Sequence, residues 1–276
     1  MHVLIVGLGG IGRKLATNLV AQGHAVTGVS RTPQVMDGDL SGVKHLAQSV
    51  HDANFDQLPP IDWVYVLLTP DARSADSYAH IFVESLKPLY AALQNHPVQR
   101  VVFISSTSVY GSGQGEWMDE TTAPHPDTPT AAVLWQAEQQ WRSAWADKLV
   151  VVRPSGIYGP DRLRIISWVQ QAKPVKLNQW TNRIYSHDLA GFLAYLTTIE
   201  TLLPLYIATD QQPVLQNEVL DYVAQQLNIC SVPSIEAVVA GKRLSNQRLI
   251  QSGYVLEYPN YQVGYTAILT LTHSSE

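Results

Sequence analysis

The sequence predicts an α/β fold, a doubly wound parallel sheet followed by a smaller C-terminal α+β lobe. Short apolar runs alternate with helical patterns through the first half of the chain. A glycine-rich turn joins the first apolar run to the first helix. The alternation loosens after about residue 153. We therefore expect one domain over 1–152 and a smaller lobe over 153–276 that packs on it. The smaller lobe is expected to lie on the substrate side.

The first elements form one βαβ unit. Residues 2–6 are apolar and rich in β-branched side chains, as in a buried strand. A helical pattern with apolar side chains at Ile11 and Leu15 follows, and Gly23 ends it. A second strand is predicted over 25–29. Strand, glycine turn, helix and strand in this order predict a parallel pair of strands with a crossover helix.

Further elements continue the alternation. In the first domain they are predicted, in chain order, as a strand at 61–68, a helix at 74–94, a strand at 98–105, a helix from 128 to about 146 and a strand at 149–152. Thr128 is expected to cap its helix, because Pro129 fits a first turn that needs no amide donor. In the smaller lobe, weaker patterns predict helices at 162–172, 188–198 and 215–227 and short strands near 205–208 and 235–239.

Composition limits the partners. The net charge is −5 and no run of five basic residues occurs, which argues against nucleic acid and anionic membrane surfaces. No apolar run approaches the ~20 residues that a membrane-spanning helix needs, and the apolar start lacks the basic lead of a signal peptide. The single cysteine, Cys230, excludes an intrachain disulfide and a Cys-based zinc cluster. We expect a cytoplasmic protein without a metal centre, and leave a homodimer open.

The turn after the first strand has the pattern of a dinucleotide site. Its six residues, spaced G-x-G-x-x-G, are Gly7, Leu8, Gly9, Gly10, Ile11 and Gly12. The first glycine allows a tight turn, the second lets the backbone approach a pyrophosphate, and the third lets helix and strand pack closely. Amide groups and the dipole at the helix N-terminus then favour the anion. We predict dinucleotide binding; the alternative is a structural turn that has lost it.

The end of the second strand favours NADP(H) over NAD(H). A NAD site usually has an acidic residue about 20 residues beyond the glycines, which bonds the ribose hydroxyls. Here Ser30 and Arg31 occupy that place. An arginine there can pair with a 2′-phosphate, and Arg13 would add positive charge. The alternatives are a solvated loop residue for Arg31 and an exposed helix residue for Arg13.

Three later segments carry a family resemblance. They are residues 105–111 (SSTSVYG), 153–160 (RPSGIYGP) and 182–190 (NRIYSHDLA). In order and spacing they resemble the extended or atypical short-chain dehydrogenase/reductase superfamily, in its NAD-dependent epimerase/dehydratase branch, over nearly the whole chain. The resemblance implies a Rossmann domain that binds NAD(P) and a small-molecule substrate.

The resemblance also implies site residues. Ser106 takes the place of the family's catalytic serine or threonine, whose hydroxyl bonds the substrate oxygen; the alternative is a serine that caps the strand end. Pro154 would lie beside the nicotinamide amide. Ser49, before Val50, stands where the family commonly has an acid that contacts the adenine. Leu68, which ends a predicted strand, completes the expected cofactor site.

The chain departs from the family at the general acid/base. The family uses a tyrosine and, four residues later, a lysine that lowers the pKa of the tyrosine. When Glu138 is aligned with the family's helix glutamate, Thr130 and Leu134 occupy these two positions. Loss of such a group costs typically ~10²–10⁴-fold in rate.

Other residues are candidates for the missing proton donor. Tyr158 follows the predicted strand end, and we choose it, with Ser106, as the catalytic candidates. Tyr110 and His187 are further candidates. Histidine titrates near neutral pH. For each of these three, the alternative is structural: a packed aromatic for the tyrosines and a helix cap for the histidine.

Two functions follow from these observations. The first is an NAD(P)-binding, epimerase/dehydratase-like oxidoreductase that acts on an unknown carbonyl or sugar-like substrate without the usual Tyr-Lys pair. The alternative is a non-catalytic NADP(H)-binding sensor or regulatory protein, suggested by Thr130 and Leu134. The residues 7–12 and 23–24 also resemble the opening of hydroxyacid dehydrogenases, but no segment matches the catalytic lysine of that family.

Overall fold

In the computed structural model, which describes residues 1–230 and 232–273, seven strands form one parallel sheet flanked by helices. The strands are, in chain order, β1 (His2–Val6), β2 (Ala25–Ser30), β3 (Val43–Ala47), β4 (Trp63–Val66), β5 (Arg100–Ile104), β6 (Gln114–Met118), β7 (Leu149–Pro154), β8 (Gly156–Tyr158), β9 (Val175–Lys176), β10 (Trp180–Thr181), β11 (Arg183–Tyr185), β12 (Leu205–Ala208), β13 (Val214–Leu215), β14 (Ser234–Ile235) and β15 (Gly241–Leu244). The helices are α1 (Gly10–Ala21), α2 (Ala75–Tyr78), α3 (Leu86–Leu93), α4 (Pro129–Trp145), α5 (Arg164–Gln170), α6 (Ser186–Tyr195), α7 (Gln216–Gln226), α8 (Gln247–Gln251) and α9 (Tyr261–His273).

The strand order confirms the predicted doubly wound sheet. It runs β12-β7-β5-β4-β1-β2-β3, so β1 has β2 on one side and β4 on the other. The chain therefore changes direction across the sheet at β1. In open α/β sheets, ligands bind outside the carboxyl ends of the strands at such a switch point.

Burial explains why the strands read as continuous apolar runs. Val3, Leu4, Ile5 and Val6 are all fully buried, as expected for a parallel strand covered on both faces. Helix α1 packs its buried face, which includes Leu15, against the sheet. Burying side chains of this size stabilises a fold by roughly 1.5–3 kcal/mol each.

The chain folds as two compact units, each made of separate segments. The first unit comprises residues 1–111, 124–153 and 190–206, and the second comprises 112–123, 154–189 and 207–276. The units differ from the single boundary expected after residue 152 in two segments. Residues 112–123 belong to the second unit, where β6 pairs with β15, and residues 190–206 belong to the first.

Several predicted elements differ from the observed ones. The helix expected over 74–94 is divided into α2, a π-helical stretch at Ala79–Glu84, and α3. The strand expected at 205–208 is present as β12, but it joins the large sheet as an edge strand. The sequence patterns missed β6, β15 and α9. No two-residue alternation marks β6 or β15, whereas α9 carries buried apolar side chains at helical spacing that the sequence analysis did not use: Tyr261, Tyr265, Ile268 and Leu269.

The second unit has its own core. Short strand pairs surround helices whose apolar faces meet, with Val169, Val219 and Leu220 among the buried side chains. Tyr158 and Tyr265 belong to the same cluster. This arrangement of small ladders and helices is the α+β character expected for the C-terminal part of the chain.

Candidate functional site

A pocket lies in the first unit at the carboxyl ends of β1, β2 and β4. Its volume is about 200 Å³. One wall consists of Gly7, Leu8 and Gly9 from the turn after β1, and the next consists of Ser30 and Arg31 at the end of β2. The pocket therefore occupies the switch point of the sheet, where the glycine pattern predicted a dinucleotide.

The three glycines that define the G-x-G-x-x-G spacing have different steric surroundings. Gly7 has a positive φ of +112°, and a Cβ there would clash with the Leu67 carbonyl oxygen. A Cβ on Gly12 would clash with the Gly7 carbonyl oxygen. A Cβ on Gly9, by contrast, would meet nothing within 4 Å. Two of these glycines thus permit close packing of the backbone, and the third borders open space.

The open space at Gly9 lies at the start of α1. Gly9 is the N-cap residue and has no side chain that could cap the helix. Gly10 and Ile11 are the first helical residues, and Ile11 is buried. The first amide groups of a helix have no carbonyl partner within the helix, and the helix dipole adds positive potential. This end of α1 is therefore suited to an anion.

Gln34 connects the glycine turn to the end of β2. Its Nε2 donates to the Leu8 carbonyl at 3.2 Å and to the Ser30 hydroxyl at 3.1 Å. Arg13 Nη1 donates to Gln34 Oε1 at 2.8 Å, and Ser30 Oγ lies 2.8 Å from His45 Nε2. Sequence reasoning missed Gln34, since a glutamine in a loop matches no motif. Arg13, expected to add charge, is instead directed at Gln34.

Arg31 forms a paired contact with an aspartate. Nη1 and Nη2 of Arg31 donate to the two carboxylate oxygens of Asp71 at 2.7 and 2.6 Å. Both side chains are exposed, at 62% and 68%. The hydrogen bond from Arg31 holds the pKa of Asp71 below its usual value, and the same bond raises the pKa of Arg31. The residue expected to contact a cofactor phosphate thus has a carboxylate partner, which sequence reasoning did not find.

The opposite wall of the pocket is largely apolar. Val50, which is 7% exposed, and Leu68 both line it. Ser49 does not use its hydroxyl in the pocket: Oγ accepts a hydrogen bond from the His51 amide at 3.2 Å and caps a short helix. Ile81, which no motif singled out, completes this wall.

Ser106 lies just beyond β5 in the first unit. Its Oγ accepts a hydrogen bond from the Ser108 amide at 3.1 Å and caps the short helix Thr107–Tyr110. This is the capping contact considered in the sequence analysis. A hydroxyl that accepts still has its own hydrogen to donate, so the cap leaves a donor for a substrate oxygen.

A buried ion pair lies beside Ser105, which precedes Ser106 in the chain. Arg153 Nε donates to Glu138 Oε1 at 3.0 Å and Nη2 to Oε2 at 2.6 Å, with the side chains 3% and 1% exposed. The hydroxyl of Ser105 also donates to Glu138. Burial by itself would lower the pKa of Arg153, but hydrogen bonding and charge attraction from Glu138 raise it above the ordinary value. Two neighbouring strand ends and α4 are held together by this pair.

The aromatic residues around this pair are packed against it. The guanidinium carbon of Arg153 lies 4.8 Å from the ring centroid of Tyr110 and 5.6 Å from that of Trp135. Tyr110 is 2% exposed. Sequence reasoning used Glu138 only as an alignment marker; a charged residue in the run of buried α4 positions is the signal that could have indicated the pair.

The first turns of α4 carry Thr130 and Leu134. Thr128 caps the helix, as predicted: its Oγ1 accepts a hydrogen bond from the Ala131 amide at 3.3 Å. The hydroxyls of Thr130 and Thr128 lie 3.4 Å apart, and Leu134 is 2% exposed. Neither side chain carries an ionisable group that works near neutral pH.

Tyr158 lies in the core of the second unit. Its hydroxyl donates to the Asn260 carbonyl at 3.4 Å. Its ring centroid lies 5.2 Å from that of Tyr185 and 4.9 Å from that of Tyr265. Burial raises the pKa of Tyr158 far above its ordinary value. These contacts give the side chain a packing role and oppose release of its proton near neutral pH.

Other expected residues lie elsewhere. Pro154 is the last residue of β7 and belongs to the second unit. His187, in the first turn of α6, is 54% exposed and lies 3.2 Å from Glu257. Within residues 1–230 and 232–273, no group of three or more His, Cys, Asp or Glu side chains is arranged to hold a metal ion. Over the same part of the chain, no helix is long and apolar enough to cross a membrane.

Comparison with known proteins identifies the family. The model of the NAD dependent epimerase/dehydratase family matches residues 3–199, so the chain belongs to that family, as the resemblance implied. A solved structure described as a candidate NAD-dependent epimerase/dehydratase from Methylobacillus flagellatus superposes with a TM-score of 0.82 at 36% identity, over 99% of this chain and 98% of that one.

Two further comparisons are less complete or more distant. Protein YeeZ of Escherichia coli K12 is 32% identical over 166 residues, which is 58% of this chain and 60% of YeeZ. The match thus spans about 60% of the length of that relative. The structure of MoeE5 in complex with UDP-glucuronic acid and NAD has a TM-score of 0.81 at 22% identity over the full length of both chains. At that identity the likeness concerns the fold alone.

Proposed function

We propose that this chain is an NAD(P)-dependent, epimerase/dehydratase-like oxidoreductase that acts on a carbonyl or sugar-like substrate without the family's tyrosine–lysine pair. The pocket at the switch point carries the proposal. It brings the open face of Gly9 and the N-terminus of α1 together, and a pyrophosphate fits such a place because backbone amides can approach it. Val50 and Leu68 offer apolar contact to an adenine on the facing wall.

The end of β2 supports NADP(H) as the preferred cofactor. The end of β2 carries no acidic residue of its own, since Ser30 and Arg31 stand there, and the guanidinium of Arg31, although paired with Asp71, is suited to a 2′-phosphate. The MoeE5 structure contains NAD, so a comparison of both cofactors belongs in the test.

The chain's own residues would act on the substrate in limited ways. A bound nicotinamide dinucleotide would supply or accept the hydride. Ser106 would donate its free hydroxyl hydrogen to the substrate oxygen and stabilise negative charge there. The pair of Glu138 and Arg153 holds the neighbouring Ser105 and so fixes the strand end that carries Ser106. Thr130 is too weakly acidic to transfer the proton.

Binding of the cofactor is the first test. NADPH and NADH are titrated in parallel into the purified protein while its tryptophan fluorescence is followed. We expect saturable binding of NADPH that is tighter than that of NADH and is weakened by Arg31→Ala. Absence of binding by both nucleotides would show that the turn is only structural, and the proposal would be wrong.

Turnover is the second test. UDP-sugars are a reasonable first panel, since MoeE5, which has the same fold, is seen with UDP-glucuronic acid. We expect a substrate-dependent change in nicotinamide absorbance, or product epimers by chromatography, that Ser106→Ala reduces by roughly 10²–10³-fold, as for loss of an oxyanion donor. Retention of full activity in that variant would remove Ser106 from the mechanism.

A second candidate is a non-catalytic NADP(H) sensor, and Thr130 and Leu134 favour it. If it is correct, tight cofactor binding accompanies no turnover with any panel member. Turnover then appears only in Thr130→Tyr/Leu134→Lys. Because Leu134 is buried, the fold of this variant is checked by circular dichroism, and Thr130→Tyr alone serves as a second variant. Turnover by the unaltered chain would exclude the sensor.

A further inference from the structure

The guanidinium of Arg31, at the pocket, already pairs with the carboxylate of Asp71. The two contacts from Arg31 to Asp71, at 2.7 and 2.6 Å, have the paired geometry with which a guanidinium binds a carboxylate or a phosphate. A 2′-phosphate and the Asp71 carboxylate are thus chemically alike as ligands of Arg31. They cannot both occupy the same end of the guanidinium.

The position of Asp71 allows it to affect a cofactor that carries a 2′-phosphate and not one that has a free ribose hydroxyl. Arg31 belongs to the wall at the end of β2, whereas Asp71 lies two residues beyond Thr69, which belongs to the wall after β4. The ion pair therefore links these two walls. A cofactor with a free ribose hydroxyl makes no demand on the guanidinium, whereas a cofactor with a 2′-phosphate must take it from Asp71 or share it with a second negative charge.

We infer that Asp71 is a specificity-determining residue that limits the preference for NADP(H) by competing with the 2′-phosphate for Arg31. The inference rests on the proposed function, because it requires that the dinucleotide bind in this pocket. Arg31 creates the preference and Asp71 reduces it, so that NAD(H) stays within the range of cofactors that the site accepts.

The size of the effect follows from exposure. Both side chains are more than 60% exposed, and exposed ion pairs are screened by water and salt. The competition is therefore modest, about two- to five-fold in affinity for NADP(H), and it declines as the salt concentration rises.

Calorimetric titration of NADPH and NADH at low ionic strength tests the inference. The proteins compared are the unaltered chain, Asp71→Asn, and the control Asp76→Asn. Asp76 is exposed and lies in the first turn of α2, five residues after Asp71, so its substitution changes the net charge equally. We expect Asp71→Asn to tighten NADPH binding about two- to five-fold with NADH unchanged, and Asp76→Asn to leave the ratio of the two affinities unchanged.

A second pair of variants isolates the contact. In an Arg31→Ala background, Asp71→Asn should no longer alter NADPH binding, since the shared guanidinium is absent. Unchanged or weaker NADPH binding by Asp71→Asn would overturn the competition; weaker binding would mean that Asp71 orients Arg31 for the phosphate. If the unaltered chain binds neither nucleotide, the proposed function fails and this inference fails with it. Binding of both nucleotides without an effect of Asp71→Asn overturns the inference alone.

Discussion

The glycine turn and the start of helix α4 belong to the same unit but differ in what determines them. In the turn, Gly7 and Gly12 are required by backbone contacts, and Gly9 borders open space. In α4, Thr130 and Leu134, which the sequence analysis aligned with the family's tyrosine and lysine, carry no ionisable group that works near neutral pH. Backbone contacts thus constrain the glycine turn, whereas the chemistry available at the start of α4 depends on individual side chains that can change without loss of the fold.

The largest effect is expected at the buried ion pair between Glu138 of α4 and Arg153 of β7. Glu138→Gln leaves the buried charge of Arg153 without a counterion, and breaking a buried pair in this way costs about 3–5 kcal/mol of unfolding free energy. Urea denaturation measures it. Glu84→Gln is the matched control, because Glu84 is 60% exposed and such changes stay within about 0.5 kcal/mol.

The result decides how α4 differs from the turn. A large loss means that this region keeps its polar residues for stability and for the position of Ser105. If Glu138→Gln costs no more than the control, the pair is not a structural element and a direct role near the substrate becomes the better explanation.

The next effect separates the glycines of the turn. Gly12→Ala places a Cβ against the Gly7 carbonyl oxygen, and such overpacking costs about 1–3 kcal/mol. Gly9→Ala meets no atom, so its stability should change by less than about 0.5 kcal/mol. We expect Gly9→Ala instead to weaken dinucleotide binding, measured by fluorescence titration. If it binds as tightly as the unaltered chain, the open space is not where a pyrophosphate approaches.

This contrast also explains what could be predicted from sequence. The spacing of the glycines reports backbone constraints, so the turn, α1 and the flanking strands were predicted nearly to the residue. Gln34 and Asp71 were missed because they lie in loops, where no periodicity marks a side chain that contacts the pocket. The pairing of β6 with β15 joins segments more than 100 residues apart, and no local pattern encodes it.

A smaller effect is expected at the two threonines that begin α4. Thr128→Ala removes the cap on the Ala131 amide and should cost about 1 kcal/mol. Thr130→Ala removes only a 3.4 Å contact between hydroxyls and should change stability by less than about 0.5 kcal/mol. Unfolding in urea gives both values. A loss of turnover in Thr130→Ala at unchanged stability would contradict the structural interpretation of Thr130 and return it to the mechanism.

The smallest effect is a pH dependence on the cofactor side. The rings of His51 and His80 stack with centroids 4.0 Å apart, and their neighbours in the chain, Val50 and Ile81, line the pocket. Burial and then the nearby His80 lower the pKa of His51, although Glu84 and Asp52 act in the opposite direction. Because the folded state disfavours the protonated ring, its stabilising contribution is complete above the unfolded pKa of about 6.5 and is lost as the pH falls through the lower folded value.

We therefore expect the unfolding free energy to decline slightly below about pH 6.5, by less than about 1 kcal/mol because the rings are partly exposed to solvent. The control is His80→Gln, which removes the second imidazole and should reduce the decline. NADPH affinity measured over the same pH range would show whether the stack also supports the pocket. An equal decline in stability in His80→Gln would assign the pH dependence to burial of His51, His24 and His45, not to the contact between the two stacked rings.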